Sequence, residues 1–247
     1  MALGYASLLS SPPLRLPKLA ATKEARPLIE ALRIKVFEAS SDSHLQAACN
    51  LRVCSFNNFP QTYRIEEHQQ YLSAIELEAL KEKVEGKRPG FGKVTCVVAT
   101  VSSRFADIDQ KIALLCKLTG IADGVVEDQV VVGSLDLNRT PRLPDEMCGS
   151  HPQGVEGQYR RGYLSNVCVA KAFQRNGVGT RLIKYARMLA LKQGISDLYT
   201  HVAVDNESAK RLYIRSGFVL EKEERASEAR LMGRPARLLL WTGLSNC

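Results

Sequence analysis

The 247-residue chain contains no apolar run of the about eighteen residues that a membrane-crossing helix needs, so no membrane insertion is expected. No segment repeats, which argues against a solenoid or a propeller. The seven cysteines (Cys49, Cys54, Cys96, Cys116, Cys148, Cys168 and Cys247) form no CxxC pair and show no Cys/His ligand spacing. An odd count without such spacing predicts neither a disulfide framework nor a metal site, and it points to a reducing compartment. Cys96 and Cys168 sit inside apolar strand-like stretches, where a free thiol behaves as a small buried hydrophobe. Acid is missing from the first 23 residues.

What is there instead is ordinary globular composition, 45% hydrophobic and 24% charged, with a net charge of +8. A modest positive balance suits an anionic ligand or a protein substrate. It is not the dense basic stripe of a nucleic-acid binder, and much of it is solvated surface charge. Residues 1–26 carry Arg15, Lys18, Lys23 and Arg26 against the single acid Glu24, with Ser7, Ser10 and Ser11 and several prolines. Serine-rich, basic and acid-poor is the pattern of an organelle transit peptide, here of the plastid rather than the mitochondrial kind. Residues 1–30 are therefore expected to be an address for the chloroplast stroma, cut between about Ala20 and Ala31, and residues 31–247 one domain.

Along that domain the patterning predicts a strand at Leu32–Ser40 and a helix capped by Asp42 or Ser43. A second helix follows over Glu66–Glu85. Strands are expected at Lys93–Val101, Val130–Asn138, Tyr163–Ala170 and Asp197–Val204, and helices after Gly179 and at Asn206–Gly217. Two final strands lie in "FVLEKEE" and "RLLLWTGL". The order predicts an α/β (α+β) layer fold with a mixed sheet. Segments 102–128, where a short helix is expected, and 139–161 are long for structureless loops.

The stretch "QRNGVGTRLIKYARMLA" (Gln174–Ala190) places Gly177 and Gly179 where a helix must nucleate, although glycine costs up to about 1 kcal/mol there. Val178, Leu182, Ile183, Ala186, Leu189 and Ala190 fall on one face, so the helix packs on the sheet with its N-terminus at a strand end. Orphan N–H groups, the helix dipole and the missing Cβ atoms suit a bound phosphate; a plain turn is the other reading. The Walker pattern is absent, and Gly177-Val-Gly179-Thr-Arg-Leu182 lacks the third glycine of a dinucleotide fingerprint.

Gln174-Arg175-Asn176-Gly177-Val178-Gly179 resembles the Gln/Arg-x-x-Gly-x-Gly/Ala signature of the GNAT acetyltransferase superfamily. The preceding "NVCVA" and the later "VAVDNESAKRLYIRSGF" match as well, so the resemblance spans Tyr163–Glu221. With the N-terminal address it looks like the plant plastid type, associated with dual lysine and N-terminal protein acetylation. The resemblance implies a mostly antiparallel twisted sheet with helices on both faces and acetyl-CoA as co-substrate, without a metal. Its partners would be protein or peptide amines. The main chain of Arg175, Asn176, Gly177, Val178, Gly179 and Thr180 would wrap the pyrophosphate. Val167, Cys168 and Val169 would pair with the pantetheine arm and polarise the thioester carbonyl. Asn206, with Glu207 and Ser208 in the first turn, would touch the cofactor arm while Asn206 also caps its helix. Tyr213 would contact the cofactor and act as general acid toward the thiolate.

The general base stays open between Asp136, His201 and a water chain, because the strand Leu164-Ser165-Asn166 offers no acid. Cys168 has no visible His/Asp partnership and is read as packing, not as a nucleophile. A small arylalkylamine acetyltransferase and a non-catalytic acetyl-CoA-binding module are the other functional readings.

Overall fold

A computed structural model describes residues 34–57, 59, 64–88, 92–104, 109–122, 125–139 and 160–244. The expected transit segment, Cys148, Cys247 and most of the 139–161 connection lie outside those residues. The helices are α1 (Asp42–Phe56), α2 (Ile65–Val84), α3 (Gln110–Leu115), α4 (Val178–Lys192), α5 (Glu207–Arg215) and α6 (Ala226–Leu231). The strands are β1 (Lys35–Glu38), β2 (Val94–Ser102), β3 (Lys117–Ala122), β4 (Val125–Arg139), β5 (Arg161–Val169), β6 (Asp197–Ala203), β7 (Val219–Glu223) and β8 (Arg237–Gly243).

The sheet runs β1-β2-β4-β5-β6-β8-β7, with β3 pairing the start of β4. Every pairing is antiparallel except β5 with β6. The mixed, mostly antiparallel sheet expected from the sequence is thus present. Successive strand residues point to opposite faces, and β4 shows which helix covers which. A Cβ on Gly133 would meet Leu182 and Val178 of α4 at 2.9 Å. The next residue, Ser134, accepts a hydrogen bond from Arg52 of α1 at 2.9 Å. So α1, with α2 packed on it, covers one face and α4 the other.

The six apolar positions expected on the inner face of α4 are all buried. Helix α1 is buried over most of its circumference, Arg52 included, because it lies between the sheet and other helices. Its cap corrects the sequence reading. Ser41, in extended backbone, accepts from the His44 N–H at 3.2 Å, one or two residues before the expected Asp42 or Ser43. Arg187 of α4 is half-buried. It donates to the Ser216 carbonyl at the C-terminal end of α5 at 2.9 Å, where a cation complements the helix dipole. The 102–128 segment holds the expected short helix and, beyond it, the hairpin strand β3, whose "KLTGIA" carries too little β-branching to announce itself.

Helix α6, also unforeseen, sits between β7 and β8. Glu224 fastens this end: Arg234 grips its carboxylate with two 2.6 Å hydrogen bonds, and the Arg237 N–H donates at 3.1 Å. The Arg234 bonds, aided by the charge of Arg237, hold the Glu224 carboxyl at about 2. A folded value below the about 4.3 of an unfolded Glu means that the carboxylate stabilises the fold fully above the unfolded value. That contribution fades as pH falls toward 2. Glu224→Gln is expected to lose about 1–3 kcal/mol at pH 7. The deficit should close as denaturation curves are collected at falling pH; a deficit that persists unchanged to pH 2 would show that the charge is not responsible.

Candidate active site

The β5–β6 ladder begins at Arg161–Asp197 and ends at Leu164–Thr200. Past that rung β5 runs on through Ser165–Val169 and β6 through His201–Ala203, with no pairing between them among the described residues. The cause lies in β5. Ser134 pairs with Cys168 and Asp136 with Ser165, so three steps on β5 match two on β4. The extra residue is a bulge, and Asn166 within it has φ 53°. Asn tolerates this left-handed region better than most residues. The bulge turns β5 away from β6 and opens a wedge. One wall is main chain at Asn166–Val169, whose polar groups on that side have no strand partner.

The glycine turn stands at the end of β5. A short 3₁₀ turn, Lys171–Phe173, leads into Arg175 with φ 67° and Gly177 with φ 75°. Gly177 is the N-cap of α4, without a side chain to satisfy the first N–H groups. Those of Val178, Gly179 and Thr180 therefore have no intrahelical acceptor. A Cβ on Gly177 would meet nothing within 4 Å, so its glycine answers to the positive φ and not to crowding. Gly179 has a different reason. A Cβ there would lie 2.9 Å from Leu212 Cδ2 of α5, so this glycine lets the two helices approach. The sequence offers ligand approach or a plain turn as its reason and gives no sign of this helix contact. Arg175 is exposed and Asn176 half-exposed beside the turn.

Helix α5 carries the next group of residues. Asn206 Oδ1 accepts from the Ala209 N–H at 3.0 Å, so the cap is as expected and any ligand contact falls to Nδ2. Glu207 is exposed and paired with Lys210 at 2.5 Å; Ser208 is exposed. Tyr213 is 5% exposed and stacks edge-on against Phe218. Burial raises its phenol above the ordinary value, opposed by a hydrogen bond with Thr200. Thr200 in turn donates to the Leu164 carbonyl at 3.1 Å. Tyr213 is thereby anchored at the last paired rung, the root of the wedge.

The candidate bases separate. Asp136 is 1% exposed, with Oδ1 held by Arg52 at 2.6 Å and Oδ2 accepting from Asn166 Nδ2 at 2.8 Å. Its burial and its pairing with Arg52 disfavour it as the base. His201 is half-buried, with Nδ1 2.7 Å from the Tyr163 hydroxyl. It neighbours Thr200 on the strand and so faces the opposite side of the sheet from Tyr213. Cys168 is buried, and burial pushes its thiol up to about 11, which keeps it a packed thiol. Tyr163, Arg52 and Asn166 escaped the sequence reading. The available signals were a basic residue inside the buried stripe of α1 and two polar residues on a core strand.

The sequence of residues 99–218 matches the model of the acetyltransferase (GNAT) family. The chain is 47% identical over 247 residues to GCN5-related N-acetyltransferase 7, chloroplastic, of Arabidopsis thaliana, covering 96% of this chain and 87% of that protein. An 84-residue stretch is 36% identical to human N-alpha-acetyltransferase 30, covering 34% of this chain and 23% of that protein. The fold is similar to that of the PaiA N-acetyltransferase of Thermoplasma acidophilum, solved with coenzyme A. There the TM-score is 0.50 and the identity 12%, over 85% of this chain and 98% of that one.

The Gly179–Leu212 contact yields a stability expectation. Gly179→Val drives a branched side chain into Leu212 and should cost about 1–3 kcal/mol in urea denaturation. Adding Leu212→Ala should recover part of the loss; no recovery would place the strain elsewhere.

Proposed function

Because the chain belongs to the GNAT acetyltransferase family, we propose that it transfers the acetyl group of acetyl-CoA to protein amines in the chloroplast, N-terminal α-amines ahead of lysine side chains. The observation that carries this reading is the wedge beyond Leu164–Thr200, with Tyr213 anchored on one face of the sheet and the Tyr163–His201 pair on the other. The chloroplastic name of the Arabidopsis relative supports the compartment, and the expected transit segment 1–30 agrees with it.

The residues present fit acetyl-CoA. The open space at Gly177 and the orphan N–H groups of Val178, Gly179 and Thr180 suit its pyrophosphate. The edge at Val167–Val169 has no pairing with β6, although the Val169 carbonyl accepts from Gln174 Nε2 at 3.1 Å; it would offer the pantetheine arm strand-like hydrogen bonds and the thioester carbonyl a polarising N–H. Asn206 Nδ2, at the N-cap of α5, would contact the arm. Acetyl-CoA supplies a thioester, and the amine attacks it directly, so that the C–N bond forms as the C–S bond breaks. His201, oriented by the Tyr163 hydroxyl, takes the proton from the amine nitrogen. Tyr213 gives its phenol proton to the departing sulfur.

The acceptor order follows from proton affinity. An α-amine near 8 gives up its proton more readily than a lysine side chain near 10.4, whichever group takes it. Deprotonating an α-amine is therefore the lighter task. The similarity to N-alpha-acetyltransferase 30 points the same way.

The test uses residues 31–247 with acetyl-CoA and two peptide pools, one with free N-termini and no lysine, the other N-blocked with internal lysines. Mass spectrometry is expected to find acetyl groups on both pools, faster on the first. Tyr213→Phe and His201→Gln should each lower kcat by about 10²–10⁴-fold, with acetyl-CoA affinity by calorimetry little changed. Acetyl-CoA binding without transfer to either pool would move the reading to a small-amine enzyme or a binding module. For the address, a fluorescent protein fused behind residues 1–35 should enter chloroplasts; diffuse cytosolic signal would refute it.

A further inference from the structure

A buried ion pair stands behind the wedge. Arg52 is 2% exposed, and its guanidinium reaches four residues on three elements at once. It donates to Asp136 at 2.6 Å and Ser134 at 2.9 Å on β4, to Cys96 Sγ at 3.4 Å on β2, and to Glu76 at 3.3 Å on α2. The charge it neutralises on Asp136 is the one that Asn166 Nδ2 donates to, at 2.8 Å. Asn166 is the left-handed residue of the bulge, two positions beyond the last β5–β6 rung.

We propose that the Arg52–Asp136–Asn166 chain is a positioning device that holds β5 in its bulged form and thereby sets the opening between β5 and β6. Asp136 and Arg52 touch neither acceptor nor cofactor; they act through Asn166. A left-handed Asn in mid-strand is an unstable choice without support, because an extended residue would restore a regular ladder. The Asp136 carboxylate supplies that support from the neighbouring strand. Ionised, it is the strongest acceptor the Asn166 amide can find there. Arg52 fixes where the carboxylate points, since two of its nitrogens also hold Ser134. The same guanidinium lies on α1 and touches Glu76 of α2, so a shift of this helix pair reaches the wedge through one side chain.

This inference rests on the reading of the wedge as the acetyl-CoA site, so it is tested with a measurement that does not need the cofactor. The chain of residues 31–247 is compared with the double variant Arg52→Met/Asp136→Leu, which replaces a buried ion pair by apolar side chains, an exchange that buried pairs often tolerate. Hydrogen exchange of the free protein is read at Asn166–Val169, and acetyl-CoA affinity by calorimetry. The expected result is a folded variant with exchange at Asn166–Val169 changed by about tenfold or more, β2 protection retained, and acetyl-CoA affinity weakened by a similar factor. The kcat/KM for acetyl-CoA should fall with it. Unchanged exchange in a folded double variant would overturn the proposal, whatever the cofactor does. If acetyl-CoA does not bind the unaltered protein, the functional reading fails while the exchange comparison still decides this one.

Should the double variant not fold, a second pair decides. Asn166→Val forbids the left-handed conformation, whereas Asn166→Gly permits it. Asn166→Val should weaken acetyl-CoA binding and alter exchange at 167–169 by about tenfold, with Asn166→Gly recovering most of both. Equal effects of the two would show that the bulge conformation is not what matters, and would overturn the proposal.

Discussion

The pairing of Arg52 with Asp136, at 2.6 Å and almost without solvent, is the constraint on which the rest of this structure turns. Burying two charges is costly, and a pair of this kind is weak evidence for stability in itself. Its geometry explains more than its energy. The guanidinium ties α1 to β2 and β4 and reaches α2, so the helical layer is registered on the sheet by a directional contact rather than by apolar packing alone. Removing one partner would leave a charge in the core with no water to solvate it.

The wedge is a sheet defect put to use. A β-sheet satisfies its backbone by pairing neighbours, and an interior strand normally has no unpaired edge. Here one extra residue in β5 ends the parallel ladder after four rungs and exposes main-chain donors and acceptors in the middle of the fold. The strand alternation then sorts the chemistry. Thr200 and His201 are neighbours in sequence but face opposite sides, so the Tyr213 phenol and the Tyr163–His201 pair approach the same opening from opposite faces. Two glycines that look alike in the sequence serve different ends: Gly177 adopts a backbone conformation that side chains resist, and Gly179 gives α5 room to close on α4.

Much of this was legible in the chain before folding. The period of Val178–Ala190 fixed which face of α4 is buried, because a helix repeats every 3.6 residues whatever it packs on. Asn206 announced its cap and Gly177 its turn through local backbone chemistry. The family motifs at Gln174–Gly179 lie within a few residues of one another, so they survive as a readable string. What escaped were contacts between residues far apart in the chain. Arg52 and Asp136 are separated by 84 positions, and nothing local to either tells that they meet. Asp136 was a plausible base in the sequence and is a disfavoured one in the fold, because its partners are visible only in three dimensions.

The sequence by itself determined most of the elements, β3 and α6 apart, with their alternating order and the glycine turn, since each depends on interactions within a few residues. Tertiary structure alone decided where β5 and β6 part, which carboxylate is already committed, and which tyrosine orients His201. Those depend on strand register and on the bulge at Asn166. One extra residue changes the register across a whole strand pair, and hydrogen bonding to a neighbouring strand, not local propensity, holds it there.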